Sequence, residues 1–71
     1  MEIEITTEYI KLDQLLKFAQ IAENGAMAME MIWDEIVSVN GEICTMRGKK
    51  IRPGGIVLAE FEDENFEITV K

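Results

Sequence analysis

The sequence predicts an α+β fold, a two-helix motif packed on a small, largely antiparallel sheet. Three observations predict it. Apolar residues recur at helical spacing over residues 12–23 and again over residues 24–35. Short runs that alternate apolar and polar residues lie on either side of this helical block. Between two of those runs stands Asn40-Gly41, the strongest short hairpin signal in the chain.

Taken in order, residues 2–6 alternate around Ile3 and Ile5 and read as a short strand. Residues 12–23 read as a helix with Leu12, Leu15, Leu16 and Ala19 on one face. Asp13 in its first turn suits the helix dipole. Tyr9, just before this helix, is expected to pack against it as a staple. Asn24-Gly25 interrupts the pattern, with Asn24 as the cap of a second helix. Val37 and Val39 mark a strand, and residues 43–45 its return. Residues 46–55, with Gly48, Pro53, Gly54 and Gly55, read as a loop. Residues 56–61 and 66–70 close the fold as a strand pair across an acidic turn at residues 62–65. Phe18, Phe61 and Phe66 fall at apolar-periodic positions and are expected in the core.

Length and composition bound what this chain does. Seventy-one residues make one domain, residues 1–71, and a chain of this size buries only about 60% of its unfolded surface. A deep catalytic cleft between lobes is not expected. No run reaches the length of a membrane span, and no basic-then-apolar leader opens the chain. The single Cys44 excludes an internal disulfide and fits a reducing, cytoplasmic setting. With no His in the chain, a Cys–His nucleophile cannot form and a zinc site lacks ligands. The carboxylates Glu60, Glu62, Asp63, Glu64 and Glu67 lack the spacing of a calcium loop and read as a solvated turn. No Gly-rich nucleotide loop is present. The expectation is a non-enzymatic binding module with no metal and no cofactor.

Two features point to binding. The second helix carries two apolar stripes. Ala28, Met31 and Ile32 form one, while Ala26, Met29 and Trp33, extended by Ile36, form another. One stripe suffices to pack a helix on a small core. The second is either a contact face for a protein partner, anchored by Met29 and the chain's only Trp, or additional core under the sheet edge. The other feature is charge. The net charge is −7, yet Arg47, Lys49, Lys50 and Arg52 fall within six residues that contain no acid. That loop reads either as a phosphate clamp or as a solvated turn.

Lys11-Leu12-Asp13, Leu15-Leu16, Ala28, Ile32 and Val37-Ser38-Val39-Asn40-Gly41 together resemble the S-four RNA-binding domain (S4 domain). The later Arg47-Gly48-Lys49-Lys50-Ile51-Arg52-Pro53-Gly54 looks like the free-standing bacterial members of that family. The resemblance spans residues 3–70. It implies a helix–turn–helix on a small sheet, with structured RNA held by the two helices and the basic loop. Lys11, Arg47, Lys49, Lys50 and Arg52 are then the RNA-binding candidates.

The chain departs from the family pattern mainly on the second helix. Ala26 and Met29 stand where Lys or Arg is usual, Glu35 where Gly usually ends the helix, and Ile36 and Trp33 where polar residues are usual. Gly55 stands in place of the Asp that usually follows Gly54. Such a cluster points to a helix re-surfaced for a protein, by divergence or by engineering. The leading expectation is therefore protein contact through Ala26, Met29, Trp33 and Ile36. The partner is either a basic protein drawn by the acidic rim of Glu23, Glu30, Asp34 and Glu35 or a second copy of the chain. The alternative is RNA binding through the basic loop.

Overall fold

A computed structural model describes residues 1–71. In chain order the elements are β1 (Glu2–Ile3), β2 (Ile10–Lys11), α1 (Leu12–Phe18), α2 (Gly25–Trp33), β3 (Val37–Val39), β4 (Glu42–Ile43), β5 (Lys50–Ile51), β6 (Ile56–Glu60) and β7 (Asn65–Val70). Five strands form one sheet in the order β1-β7-β6-β3-β4, and β2 and β5 form a separate two-stranded ladder. Every pairing is antiparallel except β1 with β7. The α+β class and the largely antiparallel sheet are as the sequence predicts.

Alternation builds the sheet. Val37 and Val39 on β3, Val57 and Ala59 on β6, and Ile68 and Val70 on β7 face the helices and are buried. Leu12, Leu15 and Leu16 of α1 and Ala28, Met31 and Ile32 of α2, with Ala22 and Ile51, complete a single core of 14 buried residues, none of them polar. Burying a side chain of this size contributes about 1.5–3 kcal/mol, so these two helix stripes hold the layers together. Asn40 (φ 51) and Gly41 (φ 89) both take positive φ, the conformation of the tightest hairpin turn, and join β3 to β4. No helix is long and apolar enough to cross a membrane.

The helices are shorter than their apolar patterns. α1 stops at Phe18, not at residue 23, because Gln20 turns into the left-handed region (φ 62). The Gln20 and Ile21 N–H groups then donate back to the Lys17 and Leu16 carbonyls (3.0 and 3.1 Å), the bonding of a Schellman stop. Glu35 (φ 62) ends α2 in the same conformation, and its N–H donates to the Ile32 carbonyl. Neither stop uses Gly, so each costs roughly 1 kcal/mol of backbone strain and leaves no glycine signal in the sequence.

Three further expectations are corrected. Phe18 is 63% exposed, because it closes α1 on the flank away from Leu12 and Leu16; Phe61 and Phe66 do pack on the core, edge to face at 5.8 Å. The first strand covers only Glu2–Ile3, although Ile5 N–H still reaches the Lys71 carbonyl. The segment read as one loop contains β5, whose pairing with β2 shapes the site.

Candidate nucleic-acid interface

The β2–β5 ladder sets Ile10 opposite Ile51 and Lys11 opposite Lys50. Ile51 is buried and anchors the ladder, while Lys11 and Lys50 stand exposed on its outer side. Like charges directly across a ladder disfavour the pairing. Here both are retained. Lys11 therefore lies on β2, immediately before α1, and not on the helix.

The loop after β4 is fixed at three points. First, the Leu12 and Asp13 N–H groups, at the start of α1, donate to the Lys49 and Arg47 carbonyls (2.9 and 3.1 Å). Helix N-terminal amides lack partners within the helix, and Lys11 supplies no side-chain cap, so the loop backbone takes that role. Second, Arg52-Pro53-Gly54-Gly55 forms a tight turn. The Gly55 N–H donates to the Arg52 carbonyl (2.9 Å), Pro53 presets the first central φ, and Gly54 takes φ 97. Third, the Gly54 N–H donates to the Val70 carbonyl and the Val70 N–H to that of Gly55, which ties the turn to β7. At Gly55 a side chain would meet Ile51 Cγ2 at 2.9 Å and the Arg52 carbonyl at 3.0 Å.

Tyr9 takes a place that sequence reasoning missed. Lys50 Nζ lies 4.9 Å and Arg52 Cζ 5.8 Å from its ring centroid. The half-buried ring thus carries two cations and does not act as a staple on α1. Continuing the β2–β5 register places Tyr9 opposite Arg52, so the signal was the alternation Tyr9-Ile10-Lys11 against Lys50-Ile51-Arg52, once pairing is recognised. Arg47 reaches the other way, its Nη1 lying 2.7 Å from Met29 Sδ on α2.

All five RNA-binding candidates are exposed. The chain's one ion pair joins Lys71 to Glu2, so Lys11, Arg47, Lys49, Lys50 and Arg52 have no carboxylate within 4.0 Å although acids outnumber bases 14 to 7. A shallow groove of about 350 Å³, lined by Val39, Asn40 and residues 49–55, runs along this surface. A second, of about 320 Å³, is lined by Val39, Asn40, residues 42–46 and Lys49, and shares Val39, Asn40 and Lys49 with the first. In front of Gly48 the surface is open, with nothing within 4 Å of where a side chain would begin.

The four residues of the expected protein-contact face do not stand together as one exposed stripe. Trp33 is 61% exposed and Ala26 is exposed. Met29 is half-buried beside Arg47, and half-buried Ile36 packs on the core. The second stripe is thus divided between core and surface.

A two-helix motif whose first helix is capped by a cationic loop, on a small sheet, is the architecture of an S4-type RNA-binding domain. Residues 3–69 match the S4 domain, and the chain belongs to that family. It is also similar to a probable ribosome maturation protein, RlbA, of Bacillus subtilis (strain 168), with 40% identity over 58 residues, 82% of each chain.

Proposed function

We infer that this protein binds structured RNA through the face formed by Lys11, Arg47, Lys49, Lys50 and Arg52, as a module that performs no chemistry of its own. One observation carries the reading: five of the seven cations in a chain of net charge −7 stand exposed and without carboxylate partners on the β2–β5 ladder and its loop. Phosphates would supply the missing counter-charge, and Arg47 and Arg52 can hold them bidentately. The amides at the start of α1 are already bonded to the loop, so side chains rather than that helix end would make the phosphate contacts. The likeness to a protein named for ribosome maturation supports ribosomal RNA, and hence the cytoplasm, as the setting.

Protein contact through α2 ranks second. Exposed Trp33 favours it, with exposed Ala26 two turns earlier on the same helix and Glu23, Glu30, Asp34 and Glu35 as an acidic rim. Against it, Met29 and Ile36 are engaged within the molecule. A basic partner or a second copy would then rest on one anchor. The apolar residues of α2 are read as this family member's own surface, without recourse to engineering.

The test is charge reversal at the ladder. Lys49→Glu with Lys50→Glu should weaken binding of a structured RNA hairpin at least tenfold at physiological salt, measured by RNA anisotropy, with an unchanged circular dichroism spectrum. Undiminished binding by the folded variant would remove the loop as the RNA contact.

A further inference from the structure

Trp33 is the aromatic residue of α2, and neither the core nor the basic face uses it. It is 61% exposed in the last turn of the helix. Met29 lies one turn earlier, with Cβ atoms at that spacing about 5–6 Å apart. Met29 in turn holds the Arg47 guanidinium. The indole therefore stands one helical turn from the residue that contacts Arg47, at the border of the basic face. By helical geometry it sits about 40° from Met29 on one side and about 60° and 100° from Glu30 and Asp34 on the other. The acids repel a phosphate chain from their flank, so an approaching nucleic acid meets Trp33 from the Arg47 side. An uncharged ring at that border suits a nucleobase and not a phosphate.

We propose that Trp33 stacks on an unpaired base, so that the RNA this domain selects carries a bulged or looped-out nucleotide beside the phosphates held by the loop. The inference rests on the RNA reading above and specifies its ligand: a stem with one extruded base rather than a continuous duplex. Tyr9 cannot serve in this way, because Lys50 and Arg52 lie over its ring. Phe18 is equally exposed, but it lines a shallow groove with Glu4, Ile5, Thr6, Thr7 and Ile10, which contains an acid and no cation. Of the exposed aromatic rings, Trp33 alone lies one helical turn from a residue that contacts a cation of the face.

Two RNAs test it: one hairpin stem with a single bulged adenine and the same stem fully paired. Trp33 is the only Trp, so its emission reports contact directly. The bulged RNA should bind roughly tenfold tighter than the paired one and quench Trp33, as stacking on an aromatic ring implies. Trp33→Phe should keep most of that preference. Trp33→Ala should bind both RNAs alike, at the affinity of the paired stem. If wild type binds both RNAs equally with unchanged emission, stacking is overturned while the basic face stands. If it binds neither, both fall. Emission that shifts with protein concentration in the absence of RNA would assign Trp33 to a second copy of the chain and overturn stacking as well.

Discussion

The two helices start in different ways. α2 is capped by its neighbour in sequence, as the Asn24 side chain accepts from the Met27 N–H at 2.8 Å. α1 is capped from a distance, since its first amides donate to carbonyls of Lys49 and Arg47, more than thirty residues away. A local cap stabilises one helix and nothing else. A cap made by a remote loop also fixes that loop. The backbone that closes α1 is the backbone that carries the cations, so the start of the first helix and the placement of the proposed RNA face share the same hydrogen bonds.

This difference can be broken from either side. Ile51→Ala, which empties a fully enclosed position under the β2–β5 ladder, should have the largest effect. We expect a loss of about 2–5 kcal/mol in a denaturant titration, together with weaker RNA binding, because the ladder holds the loop. Asn24→Ala should cost about 1 kcal/mol of stability and leave RNA affinity unchanged, since its cap serves α2 alone. If Asn24→Ala weakened RNA binding as much as Ile51→Ala, the two starts would not be independent. Tyr9→Ala should have the smallest effect. It removes two cation–π contacts whose cations are solvent-exposed and should lower RNA affinity a few-fold with little change in melting temperature.

The same contrast explains what was legible in the sequence. Local signals read correctly: Asn24 as a cap, Asn40-Gly41 as a hairpin turn, and the alternating valines of β3. Long-range signals did not. β2 and β5 have two residues each, too few to show a period, and they lie about forty residues apart in the chain, so their pairing leaves no local signal. The stop of α1 was hidden because Gln20 occupies the left-handed position that usually advertises itself as Gly. Arg47, Lys49, Lys50 and Arg52 were singled out from their clustering along the chain and Lys11 from the family resemblance, whereas the place of Tyr9 beside Lys50 and Arg52 depends on the unseen ladder. Trp33 was singled out from its helical spacing, but its neighbourhood with Arg47 through Met29 required the fold.

The most direct measurement is the salt dependence of RNA affinity. If all five cations meet phosphates, the logarithm of the association constant should fall against the logarithm of salt concentration with a slope of about −3.5 to −4.5. The Lys49→Glu, Lys50→Glu variant should flatten that slope by about two contacts. A wild-type slope near zero, or no binding of a structured hairpin even at low salt, would contradict the claim that these unpaired cations form an RNA interface.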